Sequence, residues 1–233
     1  MPPSCRGRTG LACWSTAKPP AATTSAWGAG CARPSYVRRP WSQRNPQDLR
    51  EDTDFRAPRG LDRALFLRLA GCGWIREHAH VVIGGPTGVG KSWLACALGH
   101  KACREGYSVL YKRAPRLFAD LATARGEGRL PKLLAMLERT RLLIIDDWGP
   151  EPLTAEQRRD LLEIIDDRYD KGSLLITSQV PVGRWHEVIG DLTIGDAIVD
   201  RIVHRAHRLE LKGGSLRKRQ AASTASLTDA AGE

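Results

Sequence analysis

Eight consecutive residues carry the strongest structural pattern in this chain: Gly85-Pro86-Thr87-Gly88-Val89-Gly90-Lys91-Ser92. They match GxxxxGK[ST] at every fixed position, which is the pattern of a loop that cradles phosphate. Glycines let such a loop turn tightly and bring its backbone N–H groups close to the anion. Lys91 would reach the β- and γ-phosphates, and the Ser92 hydroxyl would bind Mg²⁺. These residues therefore predict a site for a nucleoside triphosphate.

Predicted strands and helices alternate on both sides of this loop. Short apolar runs predict strands at 80–84, 108–111, 142–145, 173–177 and 208–211. The spacing of apolar residues predicts helices over 61–77, 91–104, 115–124 and 131–139, after a capping box at Thr154 and Gln157, and around 194–202. This alternation is typical of a parallel sheet covered on both faces. The predicted fold class is α/β, a three-layer P-loop NTPase core with helices flanking a parallel sheet.

Two acidic residues, Asp146 and Asp147, follow the apolar run 142–145 directly. A carboxylate at the carboxyl end of a buried strand lies in the crevice where doubly wound sheets bind ligands. Asp146 suits a metal-binding role, holding Mg²⁺ alongside Ser92. Asp147 could accept a hydrogen bond from the attacking water, although a helix or loop cap is the alternative.

Further polar residues follow the fourth predicted strand and occupy the late part of the chain. Thr177, Ser178 and Gln179 end that strand, where one of them could report on the γ-phosphate or simply form a turn. Arg201 lies on the last predicted helix, and Arg217 follows Gly213-Gly214-Ser215. Either arginine could stabilise charge in the transition state, Arg201 across a subunit boundary and Arg217 within its own chain. The alternative for each is an ordinary surface salt bridge.

The positive charge of the protein is unevenly distributed. The net charge is +10, and residues 1–45 contain seven Lys and Arg and no acid. Residues 201–219 form a second basic stretch, with seven Lys and Arg against Glu210 alone. A cationic stretch of this kind suggests an anionic partner such as nucleic acid, with a solvated terminus as the alternative.

The N-terminal segment 1–45 shows neither strand nor helix periodicity. It combines Pro, Gly, Ser and Arg with three of the seven tryptophans and three of the six cysteines. We expect little stable structure there, and a frame-shifted or wrongly started reading is one hypothesis for its composition. The predicted organisation is this basic segment, an ATPase domain over 46–219 and a flexible tail over 220–233.

Several classes of protein are disfavoured by the sequence. No stretch approaches 18 consecutive apolar residues, and the N-terminus lacks the apolar core of a secretory signal. The six cysteines form no CxxC pair, so a disulfide scaffold or zinc site is not expected. We therefore expect a cytoplasmic protein without a membrane partner.

With these residues in place, the chain from about Asp52 to Arg219 resembles the IstB-like ATP-binding proteins of insertion sequences, AAA+ ATPases related to DnaC-type helicase loaders. The resemblance is carried by Asp54-Phe55-Arg56-Ala57-Pro58-Arg59-Gly60-Leu61-Asp62, the phosphate loop with Trp93-Leu94-Ala95, Asp146-Asp147-Trp148-Gly149, Ile176-Thr177-Ser178-Gln179, residues 185–191, Asp200-Arg201 and Gly213-Gly214-Ser215-Leu216-Arg217-Lys218. Residues 1–45 do not resemble the charge-balanced helical segment that such proteins carry before the core.

The resemblance implies an AAA+ core that takes ATP and Mg²⁺, self-assembles on double-stranded DNA and assists a partner transposase. By motif position, Ser178 looks like the sensor-1 residue, Arg201 the arginine finger and Arg217 the sensor-2 residue, and Phe55 would lie near the adenine. Two alternatives remain open. One is a loader of a replicative helicase, and the other is an ATP-dependent DNA-binding scaffold whose hydrolysis is vestigial.

Overall fold

The structure is a computed structural model that describes Phe55 and residues 58–216. The expectations for the segment 1–45, for Arg217 and for the tail 220–233 lie outside the described residues and stay predictions. Within the described part, no helix combines the length and the apolar character needed to cross a membrane.

A five-stranded parallel sheet forms the centre of the described chain. Its strands are β1 (His80–Gly84), β2 (Val109–Arg113), β3 (Leu142–Trp148), β4 (Ser173–Ser178) and β5 (Ala206–Glu210). They lie in the order β2-β3-β4-β1-β5, and every neighbouring pair is parallel, which confirms the predicted sheet. Because β4 lies between β1 and β3, the carboxyl ends of these three strands meet at one edge. That edge carries the phosphate loop, the two aspartates and the polar end of β4.

Helices cover both faces of the sheet and give the predicted three layers. They are α1 (Arg63–Ala70), α2 (Gly73–Arg76), α3 (Lys91–Arg104), α4 (Ala114–Gly126), α5 (Leu130–Arg139), α6 (Ala155–Arg168), α7 (Trp185–Ile189) and α8 (Leu192–Val203). Alternate residues of a strand point to opposite faces. In β3, Leu142 and Ile144 pack with α1–α3, whereas Leu143 and Ile145 pack with α4–α8. Both apolar layers therefore hold the central strand in place.

The region 61–77 differs from the single helix that its apolar spacing predicts. Asp62 caps the start of α1 by accepting a hydrogen bond from the Leu65 N–H at 3.0 Å. The helix ends at Ala70, and Cys72 then adopts a left-handed conformation with φ of 58° before α2 begins. A left-handed residue interrupts the helical hydrogen bonds, so the prediction of one continuous helix was wrong.

Two strands extend further than the apolar runs predict, and both extensions reach the functional edge. Strand β3 continues to Trp148 instead of ending at residue 145, and β2 continues to Arg113 instead of residue 111. The parallel register pairs Arg113 with Asp146. Polar residues that end a strand are invisible to an apolar pattern, yet here they complete the site. The capping box at Thr154 and Gln157 is confirmed at the start of α6.

Candidate functional site

The phosphate loop connects the end of β1 to the start of α3, as its sequence predicts. Its glycines are needed for two reasons. Gly85, Gly88 and Gly90 have φ values of 141°, 84° and 99°, which side-chain-bearing residues rarely adopt. In addition, a Cβ on Gly85 would lie 2.5 Å from the carbonyl oxygen of Leu211. The loop is therefore tightly curved and closely packed from behind, with the helix N-terminus beside it, as an anion site requires.

Lys91 begins α3 and is 7% exposed. Its ammonium donates hydrogen bonds to the carbonyl oxygens of Gly85 at 2.6 Å and Pro86 at 2.9 Å. Burial lowers the pKa of Lys91, and the negative charges of Asp147 and Asp146 oppose that shift. The side chain is thus held against the loop, within the field of both carboxylates.

Asp146 is a buried carboxylate surrounded by hydroxyl groups. Its oxygens accept hydrogen bonds from the hydroxyls of Ser92 at 2.8 Å, Tyr111 at 2.5 Å and Thr177 at 2.5 Å. The contact with Ser92 brings together the two residues that the sequence assigned to Mg²⁺. The described residues contain no cluster of three or more His, Cys, Asp or Glu that could hold a metal. Mg²⁺ bound with a nucleotide needs only one or two protein oxygens besides phosphate and water, so this pair fits the ion.

Asp147 occupies a distorted point of β3. Its φ is 63°, and the register between β3 and β4 shifts between Ile145 and Trp148. The Asp147 N–H donates to the Thr177 hydroxyl at 3.0 Å. An irregularity of this kind redirects a side chain out of the regular alternation. The carboxylate of Asp147 consequently forms an ion pair with Arg113 and does not cap a helix.

Gln179 connects the phosphate loop to Asp147. Its side-chain carbonyl accepts a hydrogen bond from the Thr87 hydroxyl at 2.6 Å, and its side-chain amide donates to the Asp147 carboxylate at 3.2 Å. Sequence reasoning included Gln179 in the polar end of β4 but did not select it. Its length was the available signal, since a glutamine beyond a strand end can span a gap that a serine cannot.

Ser178 is fully buried, and within the described part of the chain its hydroxyl forms hydrogen bonds with backbone atoms only. The oxygen lies 3.0 Å from the carbonyl of Trp148 and 2.8 Å from that of Val180, and it accepts a hydrogen bond from the Val180 N–H at 3.0 Å. These contacts are those of a turn at the strand end, which was the alternative to a role at the γ-phosphate. The structure thus brings Gln179, rather than Ser178, to the loop and the carboxylate.

The two predicted arginines are located differently. Arg201 lies on α8, where Nε pairs with Asp166 at 2.7 Å and Nη1 donates to the Ala197 carbonyl at 3.0 Å. It contacts neither the phosphate loop nor the aspartates of β3. Arg217 lies outside the described residues, but the preceding Leu216 donates its N–H to the Gly88 carbonyl at 2.9 Å.

A buried arginine, Arg59, supports the phosphate loop from the N-terminal side. The guanidinium donates to the Val89 carbonyl at 3.3 Å, and the Arg59 carbonyl accepts from the Lys212 N–H at 2.8 Å. A Cβ on Gly90 would lie 2.8 Å from Nη1 of Arg59. Segments from both ends of the domain therefore enclose the loop. Phe55 packs edge-on against Phe66 with ring centroids 6.0 Å apart, and its predicted place near adenine stays a prediction.

The parallel sheet, the phosphate loop and the serine–aspartate pair together define a protein with a P-loop NTPase fold. Residues 40–224 match the family of IstB-like ATP binding proteins. The chain belongs to this family. ATP binding is the property that the family description states.

Relatives with higher identity carry names of the same kind. An insertion sequence ATP-binding protein of Sinorhizobium fredii, y4pL, is 60% identical over 174 residues, which cover 75% of this chain and 71% of that protein. The insertion sequence IS21 ATP-binding protein of Pseudomonas aeruginosa is 35% identical over 197 residues, covering 84% of this chain and 72% of the relative. Both names combine ATP binding with an insertion sequence.

Solved structures resemble the described fold at lower identity. The DnaC helicase loader superposes with a TM-score of 0.54 and 24% identity, covering 64% of this chain and 87% of that one. DnaI superposes with a TM-score of 0.60 and 19% identity, covering 69% and 89%. At this level of identity the likeness shows the fold alone, and it confirms the predicted AAA+ core.

Proposed function

We propose that this protein is an ATP-hydrolysing helper for DNA transposition. In this proposal it binds ATP with Mg²⁺, assembles with further copies of itself on double-stranded DNA in the cytoplasm and assists a partner transposase. One observation carries the ATPase part: the loop, the Ser92–Asp146 pair and Asp147 converge at one edge of the sheet. The insertion sequence context of the relatives supports the DNA and transposase parts.

Each residue of the site has a chemical role in this proposal. The backbone N–H groups of residues 85–91 and the Lys91 ammonium would bind the β- and γ-phosphates. Ser92 and Asp146 would hold Mg²⁺, which neutralises charge on the phosphates when bound. Tyr111 and Thr177 keep the Asp146 carboxylate oriented by hydrogen bonds. Asp147 would accept a hydrogen bond from the attacking water, with its carboxylate oriented by Arg113 and Gln179.

The basic stretch 201–216 offers fewer free charges to DNA than its sequence suggests. Arg201 pairs with Asp166, and Arg205 pairs with Asp170. Among the described residues of this stretch, Arg208 and Lys212 are exposed and form no ion pair. Phosphate contacts in the proposal therefore fall to these two side chains and to the basic residues that follow position 216.

Measuring ATP hydrolysis with and without DNA tests the proposed function. We expect slow hydrolysis by the full chain and stimulation by duplex DNA, together with a mass increase when duplex and a non-hydrolysable ATP analogue are both present. Lys91→Ala is the control for contaminating ATPases. Stimulation by single-stranded DNA and binding to a hexameric helicase would instead favour the loader. DNA binding that requires ATP without any hydrolysis would favour the scaffold.

Replacing Gln179 tests which residue at the end of β4 serves catalysis. Because Gln179 joins Thr87 to Asp147, Gln179→Ala should lower kcat about 100-fold while the KM for ATP changes little. Ser178→Ala is the matched control, since its hydroxyl contacts backbone only, and its kcat should stay within about threefold. Steady-state kinetics check both variants. A loss of kcat in Ser178→Ala without a loss in Gln179→Ala would instead support Ser178 as the sensor-1 residue.

A further inference from the structure

An acidic residue on a neighbouring helix holds the predicted finger arginine. Helix α6 packs against α8, and the two helices contribute residues such as Ile165 and Ile202 to the same apolar cluster. On the solvent side of this contact, Oδ1 of Asp166 lies 2.7 Å from Nε of Arg201. The pairing therefore joins two helices whose relative position the core already fixes.

The contacts of Arg201 within the described residues involve two of its three guanidinium nitrogens. Nε forms an ion pair with Asp166, and Nη1 donates a hydrogen bond to the Ala197 carbonyl of the same helix at 3.0 Å. Among the described residues, nothing forms a hydrogen bond with Nη2. The side chain as a whole is 35% exposed. Contacts at two nitrogens restrict the orientations that a planar guanidinium can adopt.

We propose that Asp166 is a positioning residue for Arg201, orienting its guanidinium toward the nucleotide of a neighbouring copy. This inference rests on the proposed function and on the predicted role of Arg201 as an arginine finger that acts across a subunit boundary. Asp166 touches no nucleotide in the proposal and acts only through Arg201. Fixing the arginine before assembly means that fewer side-chain torsions must be ordered when the shared site forms.

Energetic considerations indicate that this ion pair positions Arg201 and contributes little to the stability of the fold. Asp166 and Arg201 are 45% and 35% exposed, and ion pairs at such exposure contribute little to folding. Misplacing a catalytic group by about 1 Å, in contrast, costs on the order of 100-fold in rate. Removing Asp166 should therefore change turnover far more than stability.

Steady-state ATPase kinetics of the full chain on duplex DNA test this proposal. Asp166→Ala should lower kcat about 10- to 100-fold, with KM and ATP affinity within about twofold of wild type. Two control variants each remove a nearby carboxylate charge and leave the contacts of Arg201 unchanged. Asp167→Ala removes an adjacent carboxylate that has no bond to Arg201, and Asp170→Asn breaks a comparable exposed pair with Arg205. Both controls should keep kcat within about twofold.

Mixing variants separates positioning from a general structural effect. Asp166→Ala protomers keep an intact phosphate loop, so Asp147→Asn protomers, which keep a supported Arg201, should restore part of their turnover. Adding Asp166→Ala to the Arg201→Ala variant should not lower turnover any further. If Asp166→Ala melts at a lower temperature, Asp166→Leu keeps a side chain of similar size without an acceptor and should show the same kcat loss with less destabilisation.

The outcomes that would overturn this inference differ from those that would overturn the proposed finger. Wild-type turnover by Asp166→Ala, alongside an inactive Arg201→Ala, would refute positioning and leave the finger intact. A kcat loss with weakened ATP affinity and no recovery in the mixture would show a structural role for Asp166. Full turnover by Arg201→Ala would refute the finger itself.

Discussion

Replacing Lys91 with alanine is expected to weaken ATP binding by about 100-fold. The substitution deletes the ammonium that faces the triphosphate, and removing one partner of a buried charged contact costs about 3 kcal/mol. Lys91 is suited to this role because it is 7% exposed and is held within the loop by the carbonyls of Gly85 and Pro86. Isothermal titration calorimetry with a non-hydrolysable ATP analogue checks the result, and hydrolysis should fall with the affinity.

Helix α3 offers a matched control for Lys91. Lys101 lies on the same helix, pairs with Glu105 on the surface and is remote from the loop in sequence. Lys101→Ala removes the same charge and should leave ATP affinity within about twofold of wild type. Thermal melting of both variants establishes that each is folded. Unchanged ATP binding by a folded Lys91→Ala variant would contradict the assignment of the phosphate loop.

The sequence predicts those parts of the site that consist of consecutive residues. The phosphate loop is a contiguous pattern, and Asp146 follows an apolar run that predicts a buried strand. Parallel strand order then brings the ends of β1 and β3 close to one another. Local sequence and fold class together were therefore sufficient to pair Ser92 with Asp146, which the structure places 2.8 Å apart.

The parts that sequence reasoning missed depend on contacts between distant segments. Arg113 joins the site because β2 runs two residues further than its apolar pattern, and Tyr111 reaches Asp146 because β2 pairs with β3. Arg59 reaches Val89 across 30 positions in the sequence. Neither the periodicity of apolar residues nor a local motif predicts such contacts. They arise when segments that are distant in the sequence pack together, and the local pattern of each segment does not include them.

The choice between Ser178 and Gln179 shows a different limit. Both residues follow the same apolar strand, and motif position alone favoured Ser178. The structure buries the Ser178 hydroxyl against backbone carbonyls and extends Gln179 toward Thr87. Side-chain direction at a strand end depends on how the chain turns beyond it, and the sequence does not state that turn.

Replacing Arg201 with alanine is expected to abolish most turnover while sparing ATP binding. An arginine finger contributes about 10³-fold or more to phosphoryl transfer because it stabilises charge in the transition state. Arg201 contacts no residue of its own phosphate loop, so the ground-state affinity of its own chain for ATP should not change. Single-turnover hydrolysis on duplex DNA, with calorimetry for ATP affinity, checks this separation. Arg158→Ala is a suitable control, because among the described residues the hydrogen bonds of that arginine go to the carbonyls of Leu153 and Ile189 alone.

A mixture of inactive variants decides whether Arg201 acts across a subunit boundary. Arg201→Ala protomers retain their loop and aspartates, whereas Asp147→Asn protomers retain their arginine but lose the carboxylate that would orient water. Where an Asp147→Asn protomer presents its Arg201 to an Arg201→Ala neighbour, one complete site forms, so the mixture should recover a fraction of wild-type turnover. A finger acting within its own chain cannot be supplied this way. Since each variant alone is inactive, any recovery above the sum of the two requires a shared site, and a mixture that stays inactive despite assembling on DNA would refute it.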